Sequence, residues 1–324
     1  MRIALVLAGA ALVALLHAPS HAASIDCATA KGPHEKAICA DPELHQLDRD
    51  LSAAYDKLAA VASAAGKSLI EHDEHDRRAF IEELCRPEDK ACMTAAYRQA
   101  GSSLVQVSQQ TAGTVLLPVE SFRLRTDRTS LLIAFPELDS PAAAWADGFE
   151  KAAREVAAGL QPDDPNVDTV IDYRPTQVTA DLAAIAFRVW NLPHGAAHGL
   201  GRQVAFTYLP TQRRGLRPTD LFQSGTTWSG FLAQQAFDGL QDQAKADGWD
   251  LGVSGPGELE KSIADPANWL IRPEGLGLYF APETVGPYVA GEREVLVPWA
   301  DLKPYLSETP AFTEAAAPPS PSQP

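Results

Sequence analysis

The stretch from Ile38 to Leu58 restricts the fold most, because it joins a cysteine to a clear helix start and a regular apolar stripe. Asp41 is a good N-cap, Pro42 suits the first helical position, and Glu43 places negative charge in the first turn. Apolar side chains then recur every three or four residues, at Leu44, Leu47, Leu51, Tyr55, Leu58 and Val61. This spacing predicts one buried face of an α-helix that runs to about Ser63.

The N-terminus has the pattern of a secretory signal peptide. Arg2 is followed by an uncharged apolar stretch, Ile3 to Leu16, and by a small-residue site, Ser20-His21-Ala22. We therefore predict a signal peptide at residues 1–22 and cleavage after Ala22, which leaves 324 − 22 = 302 residues. No later stretch is apolar and long enough to span a bilayer. The mature chain is expected to be soluble, without membrane insertion, and periplasmic or secreted.

The composition is acidic. The formal charge is −15, and it becomes −16 once Arg2 is removed. Nucleic acid and anionic membranes are poor partners for such a chain, because they carry negative charge themselves. The charge favours a basic protein partner, although acidity for solubility alone is the simpler explanation. The length predicts about two domains, and apolar residues at 45% are enough to build ordinary cores.

Four cysteines lie in one short region, at Cys27, Cys39, Cys85 and Cys92. In an oxidising compartment this even set predicts two disulfides, for which three pairings exist. We favour Cys27–Cys39 and Cys85–Cys92, because each pair brackets a short turn between helices; a crossed pairing is the alternative. Zinc binding is not favoured, because spacings of twelve and seven residues and the export route do not suit it.

The first domain, residues 23–112, is predicted to hold three helices stapled by the disulfides. After the first helix, Ala64–Lys67 is predicted to form a turn and Ser68 to cap the second helix. Pro87 is predicted to start the third helix. Three short helices have little core of their own, so the disulfides are expected to compensate.

From about residue 113 the pattern changes from helical to extended, and residues 113–308 are predicted to form a second domain. Short strands alternate with a helix from Pro141 to Leu160 and with an amphipathic helix that Thr219 caps. The order lacks a βαβ rhythm, which predicts an α+β fold with a mixed, mainly antiparallel sheet packed with helices. Residues 309–324 are rich in Pro, Ser and Ala and are predicted to be disordered.

No group of residues in the sequence forms a convincing catalytic or metal site. Gly252–Gly257 lacks the glycine spacing of a nucleophile elbow, and no free cysteine remains if both disulfides form. One polar stretch could place metal ligands on a single helical face, at His72, His75 and Asp76, but a solvated polar face is the simpler interpretation. We therefore predict a non-enzymatic protein without metal or cofactor. An uncharacterised envelope hydrolase is an alternative, because the many carboxylates could include a glycosidase pair.

The N-terminal region carries a specific set of residues: Cys27, Glu35, Ile38-Cys39, Asp41-Pro42, Leu44, Leu47-Asp48 and Tyr55. Through them, the region from about Ser24 to Gln109 resembles the N-terminal domain family of the lysozyme inhibitor LprI. It departs from that family in the second helix, where Phe80 leads through "IEEL" to Cys85 without the usual Arg-Asp pair. The resemblance implies lysozyme binding, except for any role that rests on that pair.

Four pieces of the second region carry another resemblance: "IAFPEL", "GAAHG", "PTDLFQSG" and "GLGLYFAPETVGPYVAGEREVLVPWADL". In order and spacing, the region from about Ser130 to Leu306 is similar to the extracellular domain of the anti-sigma factor RsiV and to a related domain of envelope deacetylases. In the RsiV family this domain recognises lysozyme. The chain lacks the membrane helix, the sigma-binding segment and a deacetylase domain, so we expect neither an anti-sigma factor nor a deacetylase.

Two regions that each resemble a lysozyme-binding family predict one function. The protein is expected to bind c-type lysozyme, or another basic envelope-active protein, and to inhibit it by steric occlusion. A general periplasmic envelope or peptidoglycan-associated binding protein is the alternative.

Two loops of the second domain are predicted to form the binding surface, His194–Gly199 and Glu283–Gly291. Their glycines permit tight turns, and Pro287 stiffens the second loop. The predicted partner-binding residues are His194, His198, Tyr279, Glu283, Pro287 and Tyr288. In the alternative interpretation, His198 only ties a hairpin turn and Tyr288 packs beneath its own loop.

Overall fold

A computed structural model describes residues 24–107, 115–124, 129–139, 144–309 and 312. The predicted signal peptide lies outside these ranges. Within them, no helix combines the length and the apolar character that crossing a membrane requires. Most of the predicted tail, 309–324, also lies outside the described residues. Phe312 is an exception to that prediction, because it is fully buried and its ring centroid lies 6.2 Å from that of Trp299.

The helices of the described chain fall into an N-terminal group and a dispersed C-terminal group. The N-terminal helices are α1 Pro33–Ala40, α2 Pro42–Val61, α3 Ala64–Leu84 and α4 Lys90–Val107. The later helices are α5 Ala146–Gly159, α6 Pro218–Leu221, α7 Trp228–Asp247, α8 Glu260–Ile263 and α9 Trp299–Leu302. The N-terminal region therefore has one helix more than the sequence predicted, namely α1.

Helix α2 confirms its predicted start. Asp41 Oδ1 accepts hydrogen bonds from the backbone N–H groups of Glu43 at 2.9 Å and Leu44 at 3.2 Å, as an N-cap should. The start predicted for the second helix was wrong. Ser63, not Ser68, caps α3 by accepting a bond from Gly66 N at 3.1 Å, so the predicted turn at 64–67 is helical.

Three further helix starts also differ from the prediction. The third long helix, α4, begins at Lys90 rather than at Pro87. Thr219 caps no helix: it lies inside the short α6, and α7 begins only at Trp228. The helix predicted from Pro141 begins at Ala146, although residues 140–143 lie outside the described chain.

Both disulfides have the predicted local pairing. Cys27 is bonded to Cys39 and Cys85 to Cys92, and no described cysteine is free. The first bond ties the N-terminal segment to the end of α1. The second joins the end of α3 to the start of α4, so the turn between these helices is closed covalently.

The strands form two sheets. The main sheet has six strands in chain order, β1 Leu116–Leu124, β2 Ser130–Leu138, β3 Val167–Val178, β4 Ala183–Pro193, β5 Leu200–Leu209 and β6 Arg214–Gly215. The small sheet has three, β7 Trp269–Ile271, β8 Gly275–Phe280 and β9 Arg293–Pro298. All neighbouring strands are antiparallel except β2 and β3, which confirms an α+β fold with a mixed, mainly antiparallel sheet.

The parallel pair contains the one feature of the topology that differs from prediction. Parallel neighbours need a crossover connection, and α5 supplies it between β2 and β3. The chain therefore holds a βαβ unit where none was expected. The sequence predicted all three elements, but the pairing of β2 with β3 depends on tertiary packing and leaves no local signal.

The two faces of the main sheet are covered differently. On one face, α5 packs with Phe149 against Phe206 at a ring-centroid distance of 6.2 Å. On the other face, Phe80 of α3 stacks on Phe122 of β1 at 5.3 Å. The small sheet packs on that second face, farther along, over β4 and β5. An open strip of the second face therefore remains between the helices and the small sheet.

The N-terminal helices share a continuous hydrophobic core with β1–β3 and α5. The predicted domain boundary at residues 112 and 113 thus crosses a common core. A second core lies between the small sheet, α7 and one face of β4 and β5. Phe222 and Leu306 lie near the two ends of the segment that contributes most of this core, and they form an isolated antiparallel bridge.

A buried ionic cluster holds α2, α3 and α4 together. Asp48 is fully buried and accepts hydrogen bonds from Arg78 Nη1 at 2.6 Å, Tyr97 Oη at 3.3 Å and Ile25 N at 2.7 Å. Arg78 Nη2 also donates to Glu74 Oε1 at 3.2 Å, and Glu74 is 1% exposed. One arginine is therefore the cationic partner of two buried carboxylates.

A further buried carboxyl, that of Asp73, links the helices to the sheet. Asp73 accepts hydrogen bonds from Tyr55 Oη at 3.0 Å and from the backbone N–H of Glu120 at 2.8 Å. Arg77 pairs with the Glu120 carboxylate and donates through Nε to Tyr55 Oη at 3.0 Å. Burial raises the pKa of Asp73 from 3.8 to about 6, although the nearby Arg77 cation opposes the shift.

This raised pKa predicts how stability depends on pH. The folded protein holds the Asp73 proton more tightly than the unfolded chain does, so stability falls as the pH rises from about 4 through about 6. Asp73→Asn cannot ionise. Its stability relative to the wild type is therefore expected to increase between about pH 4 and about pH 7.

Denaturant unfolding of both proteins across this pH range measures the effect. Glu83→Gln is the matched control, because Glu83 is an exposed carboxylate on the same helix. A difference between Asp73→Asn and the wild type that does not change with pH would contradict the assignment.

Candidate functional site

The structure brings the two predicted loops together. The ring of His198 stacks on that of Tyr288, with centroids 4.5 Å apart and planes inclined by 30°. His198 Nδ1 lies 3.2 Å from the carbonyl oxygen of Gly199, which can only accept, so Nδ1 carries the proton in this bond. Tyr288 is 45% exposed, and its neighbour Val289 is 84% exposed. The joined loops thus present an aromatic and aliphatic surface to solvent.

Contacts with the protein core hold the second loop, Glu283–Gly291, in place. Val285 and Ala290 are buried, and Val285 O accepts a hydrogen bond from Gly252 N at 2.8 Å. A Cβ atom at Gly286 would lie 2.7 Å from the ring of Trp249, so only glycine fits there. The exposed tip between these anchors, which contains Tyr288, is therefore held in a defined position.

Glu283 and Pro287 are both exposed on this loop. Glu283 has a φ of 65°, a left-handed conformation that few residues other than glycine adopt. Pro287 precedes a short 3₁₀ turn and accepts a hydrogen bond from Ala290 N at 2.8 Å. Both residues shape the loop, and both are accessible to a partner.

The remaining two predicted residues lie apart from the loop surface. His194 Nε2 is 3.1 Å from Asp168 Oδ2, so it pairs with the start of β3 and not with His198. Tyr279 is 3% exposed and accepts a hydrogen bond from Gln203 N at 2.9 Å. Burial raises the pKa of Tyr279 above its ordinary value. Tyr279 therefore packs against β5 from the small sheet.

The polar stretch considered as a set of metal ligands, His72, His75 and Asp76, is not assembled as such. His72 pairs with Asp76 at 3.4 Å on the solvent side of α3. Throughout the described ranges, no three His, Cys, Asp or Glu side chains gather closely enough to hold a metal ion.

Trp190 is a site residue that sequence reasoning missed. It lies opposite Gly201 in the pairing of β4 with β5, and it is 46% exposed. A Cβ atom at Gly201 would lie 3.4 Å from Cε3 of its ring, and one at Gly199 would clash with Cζ2 and Cε2. The ring therefore lies across the backbone of β5, over both glycines.

A groove runs along the open strip of the main sheet beside Trp190. Its volume is about 330 Å³, and its lining includes Val170, Asp172, Arg188 and Trp190 on the floor. Ser102 of α4 forms one wall, and the opposite wall comes from the segment that leads into β9. The groove thus lies between the N-terminal helices and the small sheet.

Fixed polar groups line this groove. Arg188 donates to both oxygens of Asp172 across the β3–β4 pair, with Nε at 2.7 Å from Oδ1. Glu292 Oε2 accepts from Gln203 Nε2 at 2.7 Å, and Gln203 Oε1 accepts from Arg174 Nη2 at 2.9 Å. Burial, with a contribution from the nearby Arg272 cation, lowers the pKa of Arg174.

Fold and surface together define a protein with two sheets, a disulfide-stapled helical cap and an exposed pair of stacked loops. Residues 219–300 match a family described as DUF3298, a protein of unknown function. This match contains the Glu283–Gly291 loop, whereas His198 and Trp190 lie before it. The chain therefore carries a DUF3298 domain in its C-terminal part.

Two solved structures of DUF3298 family proteins are similar to this chain. One, from Bacteroides fragilis, is 15% identical over 62% of this chain and 96% of that chain, with a TM-score of 0.45. The other, from Pseudomonas aeruginosa, is 16% identical over 63% of this chain and 97% of that chain, with a TM-score of 0.39. No curated protein matches the chain.

Proposed function

We propose that this protein is an exported, non-enzymatic binding protein of the cell envelope. Its partner is c-type lysozyme or another basic protein that acts on the envelope, and it inhibits that partner by occluding the substrate cleft. One observation carries the proposal: two loops far apart in sequence stack into a single exposed surface through His198 and Tyr288.

The character of this surface suits a protein partner. Exposed aromatic residues on anchored loops are typical centres of binding energy, because little conformational entropy is lost when they are covered. Tyr288 and Val289 provide such a centre beside the ionisable ring of His198. The mature charge of −16 would attract a basic partner over a distance.

The sequence resemblances support the choice of lysozyme. The helical region resembles the LprI family at Cys27, Cys39 and Tyr55, and the sheet region resembles the RsiV family along the Glu283–Gly291 loop. Both families include proteins that bind lysozyme. An enzyme is less well supported, because both oxygens of Asp172, a carboxylate of the groove, are already hydrogen-bonded to Arg188.

Calorimetry and a cell-wall lysis assay test the proposal directly. The purified mature chain is expected to bind c-type lysozyme and to reduce its activity. Binding should weaken with salt, since the screening length falls from ~10 Å at 0.1 M to ~3 Å at 1 M. Full lysozyme activity in excess protein, with no heat of binding at low salt, would refute the proposal.

Substitutions on the loops locate the surface. Tyr288→Ala and His198→Ala are expected to weaken lysozyme binding by about tenfold or more, with an unchanged melting temperature, because both rings are at the surface. Leu296→Ala is the matched control, since Leu296 is an apolar residue of β9 that is 42% exposed outside the loops. A large fall in melting temperature, or intact binding in both loop variants, would place the surface elsewhere.

A peptidoglycan-associated binding role is the second candidate function. The groove beside Trp190 favours it, because an exposed aromatic ring next to fixed polar groups suits a carbohydrate. Retention of the protein on isolated peptidoglycan, without lysozyme present, would distinguish this role from the first.

A further inference from the structure

We propose that the groove beside Trp190 is a binding site for a short, uncharged saccharide, with the indole ring as the platform for one sugar ring. This inference rests on the second candidate function above and names its ligand, whereas it does not depend on the lysozyme-binding surface, which is a separate site. The proposal combines three observations on the groove: the platform, the polar groups beside it and the balance of charge.

The platform follows from the packing of Trp190. One side of its ring rests on β5, because a Cβ atom at Gly199 or Gly201 would meet the ring. With that side covered, the 46% of Trp190 that stays exposed lies on the groove side. Sugar rings carry flat patches of C–H groups, and these pack well on such an aromatic face.

The polar groups lie where sugar hydroxyls would need them. Arg188 precedes Trp190 by two residues on β4, so both side chains project from the same face of the sheet. The Arg188 side chain is 31% exposed and that of Asp172 is 8% exposed. Their two-bond pair holds a planar donor and a planar acceptor in fixed positions, which matches neighbouring hydroxyl groups on a sugar.

The balance of charge selects an uncharged ligand. The charged residues of the lining are Asp172, Arg188, Arg202 and Glu292, two acidic and two basic, so they sum to zero. A phosphate or a polycation would find no net opposite charge in the groove. Its volume of about 330 Å³ lies near the lower end of the ~300–1,000 Å³ usual for small-molecule sites, which limits the bound part to a short saccharide.

The test uses the full mature chain and the tetramer of N-acetylglucosamine as the probe. Calorimetry of the wild type is expected to detect binding, and Trp190→Ala is expected to weaken it by about tenfold or more. Trp190→Phe, which keeps a smaller ring, should retain part of the affinity. Leu200→Ala is the matched control: Leu200 is 47% exposed and lies between the two glycines, but its side chain projects from the opposite face of β5.

Two outcomes would overturn the proposal. One is the absence of wild-type binding with the tetramer at up to about 10 mM, a concentration that detects even weak association. The other is unchanged affinity in both Trp190→Ala and Trp190→Phe. Lysozyme binding by Trp190→Ala is measured in parallel. If that binding persists while saccharide binding is lost, the two sites are distinct, whereas failure of lysozyme binding in the wild type leaves the saccharide test intact.

Discussion

Replacing Arg78 with alanine is expected to lower the free energy of unfolding by about 3–5 kcal/mol. The guanidinium donates at 2.6 Å to Asp48, which is fully buried, and at 3.2 Å to Glu74, which is 1% exposed. Without Arg78, two carboxylates are left buried near each other without a cation. Burial already raises the pKa of Glu74 despite the neighbouring Arg78 cation, so the loss of Arg78 should raise it further.

Denaturant unfolding at neutral pH measures this loss. Arg98→Ala is the control, because Arg98 pairs with Glu43 at the surface, where the two side chains are 64% and 41% exposed. That exposed pair should contribute only about 0–1 kcal/mol. The stability of Arg78→Ala should also recover in part at low pH, where the Glu74 carboxyl takes up a proton. Equal, small effects of both substitutions would show that the buried cluster does not stabilise the fold.

Removal of the disulfides is the second large effect. Replacing Cys27 and Cys39, or Cys85 and Cys92, should each lower the free energy of unfolding by roughly 2–4 kcal/mol, because the unfolded chain gains freedom. The second pair also removes packing, since Cys85 is 2% exposed in the core; alanine is therefore the better replacement there.

Mass spectrometry establishes the starting state. The non-reduced mature protein should be lighter than the reduced form by four hydrogens, one pair for each bond. Four thiols that alkylate in native material would contradict the assignment. Unchanged stability in both double variants would show that the helical region is held by its shared core with the sheet and not by its disulfides.

The sequence predicted most elements because their signals are local. The apolar stripe and the Asp41 cap defined α2, and short spacings favoured the correct cysteine pairs. The start of α3 could not be chosen locally, since both Ser63 and Ser68 are good caps. The structure selects Ser63, whose backbone N–H and hydroxyl donate to Asp139, a residue 76 positions away.

The candidate site was predicted only in part, because its assembly depends on contacts between residues that are far apart in sequence. Glycine and proline marked both loops, but the stacking of His198 on Tyr288 depends on how β8 and β9 pack against β5. Trp190 has no distinguishing neighbour in the sequence. Its role emerges only from the register that sets it opposite Gly201. Tyr279 was predicted to contact a partner, but its side chain is 3% exposed because β5 packs over it.

The bridge between Phe222 and Leu306 has a consequence for how the segment between them can be rearranged by design. Hydrogen bonds reinforce it, from Gln223 N to Tyr305 O and from Ser307 N to Leu221 O, each at 2.8 Å. The two ends of the segment between them therefore lie side by side. A segment with adjoining ends can be inserted into another gene, or given new termini by circular permutation, without forcing the flanking chain apart. The DUF3298 match, residues 219–300, falls almost wholly within this segment.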